Sequence, residues 1–258
     1  MGNIPHIIHY CWFGDIEMPE KEKQCVESWK KFFPGYKFLL WNEKNFNYTL
    51  CTFARQAYEN KKYAFVSDYV RAKVLYEYGG IYLDADVKVI KEFPSTSAPN
   101  GFMGFERRAF LGTAVLGTVP GNESIKELLR YYEKHEYIQK DGSVDNIANV
   151  SVLTEIMKKK GLKLGGEHQM TGGYEIFNRE VFYPKKLSET DYKITEETSA
   201  VHMFTNSWLS DRERRRGTNR IWIEIIRPML RGMKRIGILL IGDEKVRKIE
   251  IKLRNRLR

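Results

Sequence analysis

The sequence predicts an α/β fold built around a partly parallel sheet, and three observations support this prediction. Apolar segments typical of strands alternate with segments of helical periodicity between residues 4 and 87. Glycine and proline pairs separate them, as Pro34-Gly35 and Gly79-Gly80 do. A length of 258 residues, with 42% hydrophobic and 29% charged residues, suits one globular domain with an appendage.

The first half of the chain has the order strand, helix, strand, helix, helix, strand. These elements are predicted as a strand at 4–14, a helix at 19–33, a strand at 36–41, helices at 50–60 and 62–78, and a strand through Asp84 and Asp86. Gly79-Gly80 ends the last helix. Ligands of such sheets bind at the carboxyl ends of strands, where we expect Trp12 and the two aspartates.

The second half is predicted to continue the same alternation. Its elements are strands at 101–106 and 114–117, helices at 122–135 and 145–160, and a strand near 181–183. The domain organisation predicted from this pattern is a catalytic domain at 1–211 and a basic amphipathic helical tail at 212–258.

Asp84 and Asp86 are the most informative residues of the chain. In a strand, residues i and i+2 point to the same face, so the two carboxylates are expected to project together. Neighbouring carboxylates repel each other unless a cation lies beside them. Mg²⁺ and Mn²⁺ take oxygen ligands and leave positions for substrate phosphates, which indicates an enzyme that acts on a nucleotide diphosphate.

Two charged residues of the preceding helix share one face. Asp68 and Arg71 are three positions apart and therefore neighbours on the helix surface. The helix leads directly into the strand that carries Asp84 and Asp86. We therefore expect all four side chains to belong to one site.

The motifs around these residues resemble glycosyltransferase family 32. Ser67-Asp68-Tyr69-Val70-Arg71, followed by YGGIYLDAD at 78–86, resembles the DXD-containing sugar-binding region of that family. Its members include bacterial capsule and polysaccharide transferases and fungal Golgi mannosyltransferases, with the clostridial glucosylating toxins as more distant relatives. Residues 4–14 resemble the family's first strand, and His202-x-x-x-x-Ser207-Trp208 resembles its closing motif.

The resemblance implies a GT-A fold, which is a Rossmann-like mixed sheet flanked by helices. It also implies a nucleotide-diphosphate sugar as donor, with UDP-sugar favoured and GDP-sugar as the alternative. A divalent cation, Mn²⁺ or Mg²⁺, would be bound by Asp84, Asp86 and His202. The segment 149–154 departs from the Gly-Pro-containing pattern of the family, which leaves the residues on the acceptor side open.

Carried over to this sequence, the family's roles fall on a small set of residues. Trp12 would stack on the nucleobase, since its ring offers a flat apolar face. Asp68 would hold donor-sugar hydroxyls, and Arg71 would pair with phosphate or sugar oxygens. The candidate catalytic residues are Asp68, Arg71, Asp84 and Asp86; the candidate nucleotide-sugar-binding residues are Trp12, Asp68, Arg71, Tyr82, Asp84, Ser207 and Trp208.

The implied reaction transfers a hexose with retention at the anomeric carbon, and no general base is assigned. The acceptor would be a saccharide or a lipid-linked acceptor in the synthesis of a cell-surface polysaccharide such as a capsule. Two alternatives stay open, a nucleotide-sugar hydrolase and a catalytically silent protein that binds sugar or membrane. Structural interpretations also stay open, namely an exposed turn for the two aspartates, a surface ion pair for Asp68 and Arg71, and core positions for Trp12 and His202.

The net charge of +10 is located entirely in the tail. Residues 212–258 contain 16 basic and 5 acidic residues, a net charge of +11, whereas 1–211 contain 27 basic and 28 acidic residues, a net charge of −1. Apolar residues at helical spacing among these charges predict peripheral contact with an anionic membrane. A helix packed on the body and an oligomer contact are the alternatives, and the neutral body argues against nucleic acid.

Cysteine usage and the N-terminus indicate a cytoplasmic protein. Cys11, Cys25 and Cys51 form no CxxC pair, which favours free thiols in a reducing compartment. No secretory signal is evident at 1–10, and no apolar run is long enough to span a membrane. Together with the tail, these features predict a location at the cytoplasmic face of the cell membrane.

Overall fold

The structure, a computed structural model, describes residues 4–145, 147–185 and 192–205, with single positions at 207, 229, 232, 233 and 242. It comprises two compact units, Met1–Tyr137 with Asn146–Thr205, and Ile138–Asp145 with Asn206–Arg258. In the described part of the second unit, Ile138 and Val144 form an isolated antiparallel bridge. The predicted boundary at 211 and all but four single positions of the predicted tail lie outside the described residues.

The first half of the chain follows the predicted alternation. Its elements are β1 (Ile7–Cys11), α1 (Glu20–Phe32), β2 (Lys37–Trp41), a 3₁₀ turn (Tyr48–Leu50), α2 (Thr52–Glu59), α3 (Tyr63–Tyr78) and β3 (Gly80–Leu83). β1 pairs in parallel with both β2 and β3, so the predicted parallel part of the sheet is confirmed. Gly80 has a φ of +96°, and a Cβ there would lie 2.6 Å from the carbonyl oxygen of Ile7, which explains the glycine pair after α3.

The second half contains shorter elements. These are β4 (Val87–Val89), β5 (Gly101–Arg107), β6 (Phe110–Leu111), β7 (Val115–Thr118), α4 (Glu123–Lys134), α5 (Asn149–Lys159), β8 (Gln169–Thr171), β9 (Tyr174–Phe177), α6 (Arg179–Phe182) and β10 (Ala200–His202). The strand predicted near 181–183 is wrong, because Val181 and Phe182 belong to α6 and the strand precedes them as β9. A short apolar run does not distinguish a buried strand from one buried helical turn.

The strands form a mixed sheet with helices on both faces. Its order is β2-β1-β3-β7-β5-β9-β8, with β6 paired to β5, and β10 and β4 form a separate antiparallel pair. One face packs against α1 and α6 through a core that includes Ile8, Trp29, Ile81 and Phe182. Residues alternate between the faces of a strand, so Tyr82, the neighbour of Ile81, faces α3 on the other side. The predicted α/β architecture, a mixed sheet flanked by helices, is confirmed.

The buried core fixes the ends of β1 and β3 at one edge of the sheet. Ile8 pairs with Ile81, and the two strands run in the same direction. Their carboxyl ends therefore lie side by side, which places the residues after Cys11 near the residues after Leu83. None of the described helices is both long enough and apolar enough to cross a bilayer.

Candidate functional site

The two acidic residues that follow β3 lie in a tight turn and not in the strand. β3 ends at Leu83, and the N–H of Val87 donates to the carbonyl oxygen of Asp84 at 2.9 Å. The N–H of Asp84 donates to the carbonyl oxygen of Ala114 at 2.9 Å, which anchors the start of this turn. The prediction of a strand through Asp84 and Asp86 is therefore wrong, because the turn between β3 and β4, and not strand alternation, sets the direction of the two carboxylates.

His202 reaches the same place through strand pairing. β10 pairs antiparallel with β4, and His202 lies opposite Val87, the residue after Asp86. Nε2 of His202 is 3.2 Å from Oδ1 of Asp86. One potential ligand atom from each of Asp84, Asp86 and His202 lies within 4.8 Å of the other two. The structure thus brings the three predicted metal ligands together, and we call them the DDH cluster.

The chemistry of the DDH cluster fits a divalent cation. Two carboxylates offer hard oxygen ligands, which suit Mn²⁺ and Mg²⁺, and the added imidazole nitrogen favours Mn²⁺ of the two. All three side chains are largely buried, with exposures of 26%, 14% and 13% for Asp84, Asp86 and His202. Nδ1 of His202 is buried without a hydrogen-bond partner in the described part of the chain. The interpretation as an exposed turn pair is excluded by this burial.

Asp86 is surrounded by groups that keep it ionised. Burial by itself raises the pKa of a carboxyl, but the His202 ring and the N–H of Thr205 outweigh it and lower the pKa of Asp86 to about 2. The N–H of Thr205 donates to Oδ2 at 2.9 Å, and the N–H of Met203 donates to the backbone carbonyl of Asp86 at 3.0 Å. For His202 the effects have the opposite signs. Burial by itself lowers the pKa of its ring, but the neighbouring carboxylate of Asp86 outweighs burial and raises the pKa of His202.

Arg71 links the face of α3 to the DDH cluster. Its Nη2 donates to Oδ1 of Asp84 at 2.7 Å, and its Nη1 lies 3.3 Å from Oδ1 of Asp68. The side chain is only 4% exposed. The interpretation of Asp68 and Arg71 as a surface ion pair is therefore excluded, and both terminal nitrogens of the guanidinium are engaged by carboxylates.

Asp68 contrasts with Asp86 in its ionisation. Burial raises the pKa of Asp68 to about 6, and the opposing effects of Arg71 and of the Asn149 amide do not compensate for it. Nδ2 of Asn149 donates to Oδ1 of Asp68 at 3.0 Å, whereas Oδ1 of Asn149 is buried without a partner among the described residues. Asn149 is the first residue of α5, in the segment whose departure from the family pattern left the acceptor side open.

The ring of Tyr82 packs against the guanidinium of Arg71. The guanidinium carbon of Arg71 lies 4.4 Å from the centroid of the Tyr82 ring, a cation–π contact. Tyr82 is 1% exposed, and Nε of Arg71 is buried without a partner in the described residues. In this structure Tyr82 therefore contacts Arg71 and not the solvent.

Trp12 lies at the carboxyl end of β1, at the same edge of the sheet. It is half-buried, its Nε1 donates to the carbonyl oxygen of Ile16 at 2.7 Å, and its backbone N–H donates to Trp41 at 3.0 Å. The next turn requires Gly14, because a Cβ at its φ of +109° would lie 2.5 Å from the ring of Tyr63. Trp12 is therefore not a fully buried core residue.

The structure does not bring every candidate residue into one set. Asp68, Arg71 and Asp84 form one contact chain, Asp84 joins it to the DDH cluster, and Trp12 stands at the neighbouring strand end. Ser207 is a single described position in the second unit, and Trp208 lies outside the described residues. Sequence reasoning missed Thr205 and Asn149. Thr205 carried one weak signal, its place inside the His202–Trp208 motif, whereas no local pattern marks a contact such as that of Asn149, made across 81 positions.

Comparison with known proteins adds an independent observation. Residues 19–103 match a family model described as the glycosyltransferase sugar-binding region containing the DXD motif. This stretch runs from the start of α1 into β5 and includes Asp68, Arg71, Asp84 and Asp86. It leaves out Trp12 and His202.

Two curated relatives match shorter parts of the chain. Inositol phosphoceramide mannosyltransferase 3 of Schizosaccharomyces pombe is 38% identical over 93 residues, which cover 33% of this chain and 24% of that protein. Subversion of eukaryotic traffic protein A of Legionella pneumophila is 30% identical over 130 residues, covering 40% of this chain and 20% of its own length. The chain thus spans a quarter or less of these two proteins.

Solved glycosyltransferase structures are also similar, at low identity. A glycosyltransferase involved in glycosylation of the major capsid of PBCV-1 is 14% identical, with a TM-score of 0.44, over 81% of this chain and 97% of that one. The sequence match is the stronger result. Over residues 19–103 the chain is therefore similar in sequence to the sugar-binding region of the glycosyltransferases that contain the DXD motif.

Proposed function

We propose that this protein is a metal-dependent, retaining glycosyltransferase that moves a hexose from a nucleotide-diphosphate sugar to a saccharide or lipid-linked acceptor. The observation that supports it most is the convergence of Asp84, Asp86 and His202 within 4.8 Å, joined through Asp84 to the buried Arg71 and Asp68. Carboxylate oxygens that suit a metal ion and a buried guanidinium beside them form a site suited to a diphosphate.

The two parts of the site suit two parts of a nucleotide sugar. The DDH cluster would hold Mn²⁺ or Mg²⁺, which stabilises negative charge on a departing diphosphate. Arg71 donates a hydrogen bond to Oδ1 of Asp84 and so orients this carboxylate toward the cluster. Asp68 and Asn149 offer hydrogen-bonding groups to sugar hydroxyls, and Trp12 offers a partly exposed ring to the nucleobase.

The names of the relatives narrow the first substrates to test. The fission-yeast relative is named a mannosyltransferase of inositol phosphoceramide, so mannose as the sugar and a lipid as part of the acceptor are included among the substrates to test. We keep UDP-sugars as the favoured donors from the motif resemblance and GDP-sugars as the second group. A cell-surface polysaccharide such as a capsule is the product class that we propose.

The proposal is tested by donor binding followed by product analysis. Thermal unfolding is measured with a panel of UDP- and GDP-sugars in the presence of Mn²⁺, since a ligand that binds the native state raises its apparent stability. The stabilising donor is then incubated with saccharide and lipid-linked acceptors, and the products are analysed by mass spectrometry and NMR. We expect a new glycosidic bond with the anomeric configuration of the donor.

Each alternative gives a different result in the same experiment. Release of free sugar at the same rate with and without acceptor would identify a nucleotide-sugar hydrolase. Donor binding without turnover would identify a silent sugar-binding protein. An inverted anomeric product would contradict retention while leaving the transferase activity intact.

We also propose that the basic tail holds the protein at the cytoplasmic face of a membrane. The support is the charge distribution, a net +11 in 212–258 against −1 in 1–211. Full-length protein is co-sedimented with anionic and neutral liposomes, beside a variant with Arg214, Arg215 and Arg216 changed to Glu. Binding to anionic vesicles that drops in the variant supports the proposal, and equal binding by both proteins contradicts it.

A further inference from the structure

A buried carboxylate in α1 has no role in the site as described so far. Glu22 lies in the first turn of α1 and is only 2% exposed, whereas Glu20 in the same turn is exposed. A buried carboxylate is costly unless hydrogen bonds compensate for it. Its described partner is the hydroxyl of Thr205, which is 2.6 Å from Oε1.

The position of α1 beside the site is fixed by hydrogen bonds to β4. Nε1 of Trp29 donates to the carbonyl oxygen of Val87 at 2.7 Å, and the N–H of Val89 donates to Oγ of Ser28 at 3.0 Å. Val87 directly follows the Asp84–Asp86 turn. The helix that carries Glu22 is therefore held against the strand that leaves the DDH cluster.

Thr205 stands between Glu22 and the ligand Asp86. Its Oγ1 is 2.6 Å from Oε1 of Glu22 and 3.3 Å from Oδ2 of Asp86, and its N–H donates to the same Oδ2 at 2.9 Å. A hydroxyl has a single proton to donate. The shorter distance assigns that proton to Glu22, so the backbone N–H of Thr205 is the donor that Oδ2 of Asp86 keeps among the described residues, and this oxygen retains electron density for a cation.

We infer that Glu22 is a positioning residue for the metal site, acting through the hydroxyl of Thr205. By accepting the hydroxyl proton, Glu22 prevents Thr205 from donating a second hydrogen bond to Asp86. It also ties the 203–205 segment, which surrounds Asp86, to α1. This inference rests on the proposed cation site. Partners of this kind behind a ligand typically change metal affinity by about 10- to 100-fold.

The test measures binding of Mn²⁺ alone to the full-length protein by the EPR signal of free Mn²⁺. Glu22→Met removes the acceptor and keeps the side-chain length, and we expect about 10-fold weaker binding. Glu22→Gln keeps an acceptor oxygen for the hydroxyl, and we expect binding within about threefold of wild type. Glu20→Met is the matched control, with the same charge change in the same turn at an exposed position. Near-ultraviolet circular dichroism shows whether each variant is folded.

A double-mutant cycle tests the route through Thr205. If Glu22 acts through that hydroxyl, Glu22→Met has no further effect on Mn²⁺ affinity in a Thr205→Ala background. Additive losses of Mn²⁺ affinity in the double variant would contradict the action of Glu22 through the Thr205 hydroxyl. The role of Glu22 itself would be contradicted by wild-type affinity in folded Glu22→Met. Equal losses of affinity in Glu22→Gln and Glu22→Met would contradict it as well. Those results leave the metal site standing. A wild-type protein that binds no Mn²⁺, or an Asp86→Ala variant that binds it normally, would overturn the site and the inference together.

Discussion

Asp86 and Asp68 are buried carboxylates of one site with opposite ionisation behaviour. Asp86 lies beside His202 and Thr205, which lower its pKa to about 2, whereas burial raises the pKa of Asp68 to about 6 despite its contact with Arg71. The first environment preserves a charged carboxylate, as suits a ligand of a cation. The second produces a group whose proton is easily gained, as suits hydrogen bonding to hydroxyls. Different surroundings thus give the same residue type two roles.

The largest expected effect is a loss of donor turnover on substitution of Asp86 in the DDH cluster. Asp86→Ala removes the ionised ligand of the DDH cluster, so we expect donor turnover to fall at least about a thousandfold, or about 4 kcal/mol of transition-state stabilisation. The assay is donor turnover in saturating Mn²⁺, and EDTA added to wild type should have a similar effect. Full activity in Asp86→Ala would contradict the metal assignment.

The next largest effect concerns Arg71, which joins Asp68 to Asp84 of the DDH cluster. Arg71→Met leaves Asp68 and Asp84 without their buried partner, so we expect a loss of about 3 kcal/mol in the free energy of unfolding, measured with urea. Lys73→Met on the same helix is the control, because its pair with Glu77 is partly exposed and contributes less than about 1 kcal/mol. Equal losses in the two variants would show that Arg71 has no special structural part.

His9, a buried histidine outside the candidate site, extends the comparison to the pH dependence of the free energy of unfolding. Nε1 of Trp41 donates to Nδ1 of His9 at 3.1 Å, and Nε2 of His9 lies 2.9 Å from the carbonyl oxygen of Gly79, so the neutral ring matches both partners. Burial outweighs the Gly79 hydrogen bond and lowers the pKa of His9 from 6.5 to about 4. Between these values the unfolded chain binds more protons, so stability falls as the pH falls.

From pH 7 to pH 5 this difference amounts to about 2 kcal/mol in the free energy of unfolding. We expect urea unfolding of wild type to show that loss and His9→Gln, which does not titrate, to lack it. Other groups contribute equally to both proteins. Identical pH dependence in the two would mean that His9 titrates normally in the folded state.

The smallest expected effect tests whether Asp68 and the DDH cluster have separate functions. Asn149→Ala removes the amide that donates to Asp68, and we expect kcat/KM for the donor to fall about 10-fold, or about 1.4 kcal/mol. Mn²⁺ affinity should stay at the wild-type value, because Asn149 contacts Asp68 and not the DDH cluster. A similar loss of Mn²⁺ affinity would mean that Asp68 and the DDH cluster do not function separately.

Local patterns were sufficient to predict most of the fold. The apolar stripe of α1, the Gly79-Gly80 break and the alternation from β1 to β3 each follow from near neighbours in sequence. They failed where tertiary packing decides between alternatives, as with Val181 and Phe182, which form a helical turn in the core. The turn at Asp84 was also missed, because its anchor is Ala114 of a distant segment.

The candidate site shows the same limit more sharply. The spacing of Asp68, Arg71, Asp84 and Asp86 indicated one site, and the structure brings these residues together. Two hydrogen-bond partners of these aspartates come from far along the chain. Thr205 is 119 positions from Asp86 and Asn149 is 81 from Asp68, separations at which a single sequence carries no pairing signal.

The most direct test of the central claim is anomalous diffraction from crystals grown with Mn²⁺ and a nucleotide diphosphate. We predict one Mn²⁺ peak bounded by Asp84, Asp86 and His202, with Asp68 outside the coordination sphere. A peak coordinated by Asp68, or a bound nucleotide diphosphate with no Mn²⁺ at the DDH cluster, would contradict the account.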